Sequence, residues 1–241
     1  MISLQNVTIV IPVWRDTEAL LLLLEDLASF SHLDIIIAHT AHDVRHLKSS
    51  VASIWRVRPS KKIRFVEGPK SRASQMNSAA CFSNRKFLWF LHADTRVGKR
   101  VIEALTAALC DSQWGRCDIR LSGSVFEFRI IEFFINQRSA LTGICTGDQG
   151  IFVRRDLFKR IGFYPEQPLM EDIEISKVLR IISRPKRIRA RLVTSSRRWE
   201  ENGIYRTVLL MWILRVRYFF GESSAELVRR YYEPETEIEE N

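Results

Sequence analysis

Phe87-Leu88-Trp89-Phe90-Leu91-His92-Ala93-Asp94-Thr95 is the stretch from which the fold of this chain is read. Phe87 to Leu91 is an unbroken apolar row of strand length, as expected for a strand buried on both faces. Such a strand needs helices above and below it, which implies an α/β protein. The row ends on His92 and Asp94. Polar side chains at a strand's carboxyl end lie where open parallel sheets bind ligands.

The same alternation runs towards the N-terminus. Val7 to Val13 is a β-branched run. Asp16 or Thr17 can cap the helix whose apolar stretch is Leu20 to Leu27. Asp34 to Ala38 reads as a second buried strand, Asp43 to Trp55 as a helix, Ile63 to Val66 as a short strand and Ser71 to Phe82 as a helix rich in small residues. On the other side of the central row, Val101 to Leu109 is the next helix. This order predicts a mostly parallel central sheet with helices on both faces. The pattern changes after Gly115. Ile119 to Phe128 partly alternates and is expected to be an antiparallel or edge strand. Ile130 to Leu141 follows as an amphipathic helix, Gly150 to Val153 as a strand, and Asp156 to Ile161 as a helical turn. Glu171 to Ile182 is helical, Ile188 to Val193 a strand, and Ile204 to Phe220 a long apolar and basic helix ended by Gly221. With no repeat and no Gly/Ser linker, residues 1–232 are expected to form one domain, and the acidic tail 233–241 to be disordered.

Composition narrows the class. The 241 residues are 46% hydrophobic, enough for a sizeable core. No apolar run approaches the roughly 20 residues that span a bilayer, and no signal peptide is recognisable, so a cytoplasmic protein is expected. Cys81, Cys110, Cys117 and Cys145 are scattered without a CxxC pair, which suggests buried free thiols and argues against a zinc site. The net charge is +9, and between Glu174 and Glu200 lie nine Lys or Arg and no acid. Such a stretch is either a solvated face or an attractor of anions. No Walker loop or GxGxxG is present, which argues against ATPases and dinucleotide enzymes.

Several side chains are candidates for chemistry. Trp14, His39 and Asp94 follow strand ends and are expected to converge on one crevice. Asp94 is placed to bind Mg²⁺ or Mn²⁺ shared with phosphates of a substrate. By strand alternation His92 lies on the same side, able to orient Asp94 or touch the donor. Glu171 and Asp172 open a helix, where carboxylates are favoured by the macrodipole; one of them can also serve as a general base. Glu174, three residues on, can restrain Glu171. Gly147-Asp148-Gln149-Gly150 sets two glycines around two polar side chains and permits close approach of a ligand. Arg72, Gln75 and Asn77 can meet a phosphate or base. Arg198 offers a guanidinium fork, and Trp199 a ring to stack. Together these groups suggest transfer from an activated, phosphate-bearing donor.

In order along the chain these motifs resemble a known family. After a strand ending in Ile9-Val10-Ile11-Pro12 come Ser-Arg-Ala-Ser-Gln-Met-Asn (71–77), Leu-His-Ala-Asp-Thr (91–95) and Gly-Asp-Gln-Gly-Ile-Phe-Val-Arg-Arg (147–155). Pro-Leu-Met-Glu-Asp-Ile-Glu (168–174) and Ser-Arg-Arg-Trp-Glu (196–200) follow. The set resembles the family 2 glycosyltransferases, in a small bacterial subgroup with His-Ala-Asp-Thr and Met-Glu-Asp-Ile-Glu motifs.

The resemblance implies a GT-A fold, with a nucleotide-binding half to about residue 115 and an acceptor half over 116–232. It implies inverting transfer of a sugar from a nucleotide-diphosphate donor to an acceptor hydroxyl. Asp94 would hold the divalent metal and Asp172, with Glu171 beside it, would be the base. Pro12, Trp14, Arg72, Gln75, Asn77, His92, Asp94, Arg198 and Trp199 would lie on the donor side, and Gly147, Asp148 and Gln149 on the acceptor side. The sequence departs from the family in three places. Ala38 to Asp43 replaces an acidic, Gly-rich nucleoside segment, His92 stands at the first acidic position of the metal motif, and no histidine follows it. Two alternatives remain open: a nucleotidyltransferase, disfavoured by the lack of glycine in Pro12 to Asp16, and a non-catalytic basic binding module. No nucleic-acid motif is present. The helix 204–220 is expected either to pack in the core or to rest on a membrane surface through its apolar body and the basic residues Arg206, Arg215 and Arg217.

Overall fold

The computed structural model describes residues 4–40, 44–55 and 62–232. Its strands are β1 (Val7–Val13), β2 (Asp34–His39), β3 (Lys62–Glu67), β4 (Phe87–Phe90), β5 (Trp114–Leu121), β6 (Phe152–Arg154) and β7 (Lys186–Thr194). The helices are α1 (Thr17–Ala28), α2 (Val44–Trp55), α3 (Arg72–Cys81), α4 (Lys99–Ala108), α5 (Phe126–Thr142), α6 (Arg155–Arg160), α7 (Glu171–Ile182), α8 (Arg197–Glu201), α9 (Ile204–Phe219) and α10 (Ser224–Tyr232). The sheet order is β3-β2-β1-β4-β6-β5-β7.

β1, β2, β3 and β4 are mutually parallel; β6 runs antiparallel to both β4 and β5, and β7 parallel to β5. The carboxyl ends of all strands but β6 therefore share one edge of the sheet, and β6 begins there. Strand order reverses between β1 and β4, which makes the crevice at their carboxyl ends the switch point of the sheet.

The apolar pattern explains the layers. Val7, Ile9, Ile11 and Val13 face one side, packed with Leu20, Leu23 and Leu27 of α1, Leu47 and Val51 of α2, and Val101 and Leu105 of α4. Val10, Ile36, Leu88 and Phe90 face the other, against Ala73, Met76, Ala79 and Ala80 of α3 and Ile175 and Leu179 of α7. The alanines of α3 let that helix lie close on the sheet. Each buried leucine contributes about 1.5–3 kcal/mol to this core.

Some expectations are corrected. Asp16 makes no side-chain cap bond at α1. The run from Ile119 to Phe128 is not one strand: β5 spans Trp114 to Leu121, has a strand on each side, and gives way to α5 at Phe126. Arg116 and Asp118 masked this strand in the sequence. They are buried because they bond to each other, while Arg116 Nη2 donates to the Asn136 carbonyl at 2.8 Å and Arg187 Nη2 pairs with Asp118 at 2.9 Å. Of the four cysteines only Cys117 and Cys145 are buried; Cys81 and Cys110 are exposed. Burial pushes the Cys117 and Cys145 thiols up to about 12. The tail 233–241 and Asp43 lie outside the described residues.

Candidate active site

Asp94 sits just past β4, in a turn closed by the Thr95 N–H to the His92 carbonyl at 3.2 Å. The turn is anchored from α1: Asp26 accepts from Arg96 Nε at 2.7 Å and from the Val97 N–H at 3.0 Å. Because His92 and Asp94 lie in a turn, strand alternation does not apply to them, and the two side chains face different partners. Asp94 is half-buried. Burial raises its carboxyl above the usual range, the nearby Asp16 and Asp148 carboxylates add to this, and Arg197 opposes it. Arg197 also reaches Asp16 at 3.5 Å. His92 faces Arg72 instead, with Nε2 3.4 Å from Nη1. Burial first, and the Arg72 charge second, push its imidazole down to about 3, so the ring is neutral.

The paired carboxylates part company at the start of α7. Met170, in the left-handed region at φ 66°, turns the chain into the helix. Glu171 points inward, 1% exposed, and accepts from Arg72 Nε at 2.5 Å. Its Oε2 is buried without a partner. Burial raises the Glu171 carboxyl against the downward pull of Arg72. Asp172 is only partly buried. Its Oδ2 accepts from the Gly147 N–H at 2.8 Å and its Oδ1 from its neighbour Ile173 N–H at 2.8 Å. A Cβ at position 147 would lie 2.6 Å from His92 Nε2, so a side chain there would displace the His92 ring. Glu174 does not restrain Glu171; it bonds to Lys177 at 2.5 Å and accepts from Tyr218 Oη at 2.7 Å.

Gly147 to Gln149 form a 3-10 turn immediately before β6. Since β6 is antiparallel to β4, this turn lies beside the carboxyl end of β4. Gln149 is wholly buried: its Oε1 accepts from Ser139 Oγ at 2.8 Å and from the Thr146 N–H at 3.0 Å, which locks the turn to α5. Asp148 is the link between the two motifs. Burial raises its carboxyl, a Thr146 hydrogen bond lowers it, and it interacts with Asp94, Asp172, Arg138 and Arg215. Arg138 of α5 is not among the residues singled out from sequence, and Arg215 of α9 is named there only as a basic flank of the helix 204–220. A usable signal was present for Arg215, a charge directly after the apolar run Val208 to Leu214.

The remaining candidates divide. Trp14 is 48% exposed at the end of β1, with Lys70 Nζ 4.9 Å from its ring centroid. Pro12 is buried inside β1, and His39 is buried with Nδ1 2.9 Å from the Thr40 carbonyl. Gln75 is buried against the turn at Gly68. Asn77 donates to the Tyr164 carbonyl at 2.9 Å and accepts the Tyr164 N–H at 3.0 Å, so both ends of its amide cross-link α3 to that segment. Arg198 Nη2 donates to the Tyr231 carbonyl at 2.9 Å, and its guanidinium stacks on the Tyr231 ring at 3.6 Å. Arg198 thus latches α10 onto α8, where Trp199 is half-buried. Among the described residues, no three His, Cys, Asp or Glu side chains form a group that could hold a metal. A caged ion does not fit here. A hard cation held by Asp94 that keeps its waters and takes other oxygens from a diphosphate does fit, and it would relieve the repulsion among Asp16, Asp94 and Asp148. A separate hollow of about 520 Å³, lined by Gln167, Glu174, Lys177 and Tyr218, includes none of these three.

No family model and no curated protein matches the chain. Solved structures do resemble it. S. aureus TarS 1–349 has a TM-score of 0.61 at 14% identity, covering 79% of this chain and 60% of that one. The same protein in complex with UDP-GlcNAc gives 0.60 at 14%, covering 79% and 58%. The mannosyltransferase PcManGT from Pyrobaculum calidifontis, in complex with GDP-Man and Mn²⁺, gives 0.59 at 15%, covering 78% and 56%. The chain thus matches little more than half the length of each. At these identities the likeness shows the fold alone: a GT-A-type α/β architecture around a mostly parallel sheet.

Proposed function

We propose that this chain is an inverting glycosyltransferase of the family 2 type, moving a hexosyl group from a nucleotide-diphosphate sugar to an acceptor hydroxyl. The observation that carries the reading is that Asp148 interacts both with Asp94, just past β4, and with Asp172, at the start of α7. A donor diphosphate at Asp94 would set its sugar towards Asp172.

The chemistry follows from these groups. Asp172 takes the acceptor's hydroxyl proton as that oxygen bonds to the anomeric carbon. The bond from that carbon to the diphosphate oxygen breaks on the opposite face, and its electron pair leaves with the diphosphate. One such displacement inverts the configuration. The Gly147 and Ile173 N–H groups hold the Asp172 carboxylate in one orientation. Glu171, buried and tied to Arg72, acts as a positioning residue for the start of α7. A divalent cation at Asp94 would supply neutralisation of the departing diphosphate's charge.

Part of the basic stretch is committed to the fold. Lys177, Lys186, Arg187 and Arg197 pair with Glu174, Asp111, Asp118 and Asp16, and Arg180 donates to the Thr142 carbonyl. Arg184, Arg189 and Arg191 of the same stretch are exposed, so the salt dependence of oligonucleotide binding is what separates a transferase from a nucleic-acid module.

The exposed face of α9 favours a peripheral membrane position at the cytoplasmic surface. Only Thr207 and Leu214 of this helix are buried. Tyr205, Leu209, Trp212, Val216 and Phe219 recur at helical spacing along its exposed side, with Arg206 and Arg217 also exposed. Arg215 is half-buried. No helix among the described residues is long and apolar enough to cross a membrane.

A thermal-shift panel of nucleotides and nucleotide sugars, with and without Mn²⁺, tests the donor side. At least one nucleoside diphosphate should raise the midpoint with Mn²⁺, and Asp94→Ala should abolish the metal-dependent part. A flat panel for the wild-type protein would remove the donor reading.

A further inference from the structure

Arg138 and Arg215 lie in the field of Asp148 and Asp172 but make no direct contact with either carboxylate. Nε and Nη2 of Arg138 are buried without a hydrogen-bond partner. Among the described residues neither guanidinium forms an ion pair. Both Asp172 oxygens accept backbone N–H groups, and Asp148, bonded by Thr146, keeps Oδ1 buried without a hydrogen-bond partner. Burial lowers both arginines, Arg215 to about 10, and each is further lowered by an arginine neighbour: Arg215 by Arg138, and Arg138 by Arg116. The buried, unpartnered donors of Arg138 are destabilising, and the nearby charge of the half-buried Arg215 adds to the cost. Such an arrangement is sustained by something that binds it. The guanidinium fork matches the oxygens of a phosphate or carboxylate.

We propose that Arg138 and Arg215 form an oxyanion-binding subsite beside Asp172, and that the acceptor is an anionic molecule whose phosphate or carboxylate sits between them while its hydroxyl meets Asp172. This rests on the transferase reading above. The donor end shares Asp148 with this subsite and otherwise differs: Asp94 also interacts with Asp16 and Arg197, whereas Arg138 and Arg215 also interact with Asp172. The subsite also lies between two helices with exposed apolar residues. Phe126, Ile130, Phe133, Phe134 and Leu141 are exposed on α5, as are Leu209, Trp212 and Val216 on α9. The anion can therefore be carried by a lipid or by a soluble molecule.

Binding alone tests the proposal, with no donor and no turnover. Calorimetry with inorganic phosphate compares wild type, Arg138→Gln, Arg215→Gln and, as a control at an exposed arginine outside both ends of the site, Arg189→Gln. Sedimentation with phosphatidylcholine vesicles, with and without phosphatidic acid, presents the same group on a lipid. Arg138→Gln and Arg215→Gln should each weaken binding of phosphate or of phosphatidic acid vesicles by about tenfold or more, and Arg189→Gln should not. A loss seen only on vesicles assigns a lipid-borne acceptor, and a loss seen only with free phosphate a soluble one. The melting midpoint of Arg138→Gln should hold or rise, because an unpartnered charge has been removed. If that variant does not fold, Arg138→Lys, which keeps the charge without the fork, should show an intermediate loss. Unchanged binding of both probes in both Gln variants, or no binding by wild type, overturns the subsite and leaves the nucleotide panel standing. A flat nucleotide panel with intact anion binding would instead remove the transferase.

Discussion

Asp172 is held by two backbone N–H groups, one of them from the turn that carries Asp148. Asp172→Asn keeps the shape of the side chain and removes its ability to accept a proton. Turnover should fall by roughly 10² to 10⁴, the usual contribution of a general base, with donor affinity and melting midpoint nearly unchanged. Acceptor-dependent transfer against donor hydrolysis is the measurement, and near wild-type transfer would end the base assignment. Glycine at position 147 leaves the His92 ring in place, since a methyl group there would push it aside. The division of labour between Glu171 and Asp172 was not legible in sequence. Both satisfy the same helix-start preference, and only burial separates a carboxylate paired with Arg72 from one open to the crevice.

At the scale of elements, α5 has a second task. The outer half of β5 extends beyond the short pairing with β6, at Trp114 and Gly115. Side chains of α5 take the missing strand's place: Asn136 bonds the Ile119 N–H and C=O, each at 2.9 Å, and Glu132 accepts the Leu121 N–H at 2.6 Å. Asn136→Ala leaves a buried donor and acceptor unpaired and should cost about 2–4 kcal/mol. Chemical denaturation should show the midpoint lowered at constant slope. α9 presents the opposite case, with its large apolar side chains outward. Trp212 is 62% exposed. Trp212→Glu should change stability by no more than about 0.5 kcal/mol and should reduce flotation with anionic liposomes. Equal flotation of variant and wild type would remove the peripheral position. Apolar periodicity located this helix, but a run apolar all round does not say which side the core covers.

Over the whole molecule, α10 closes back on the site's own helices. Its Leu227 is buried with Leu214 of α9 and Met170 at the start of α7, and the Arg198–Tyr231 contact fastens it. Arg198→Ala should therefore lower the melting midpoint, and a double-mutant cycle with Tyr231→Ala should show coupling of about 1–2 kcal/mol. Arg198→Lys should not restore it, because a point charge lacks the fork. No coupling, with donor affinity lost, would return Arg198 to the donor. By itself the sequence determined the β-α alternation, the mostly parallel sheet and the positions of Asp94 and Asp172 at a strand end and a helix start. These follow from local periodicity and propensity, which are written in consecutive residues. Only the tertiary structure decided which of them meet. The antiparallel entry of β6 carries Gly147 and Asp148 alongside β4, the buried pairing of Arg116 with Asp118 makes a strand of a charged segment, and the packing of α5 and α9 sets Arg138 and Arg215 beside Asp172. Each of these depends on pairing between distant parts of the chain, and no local pattern encodes such a pairing.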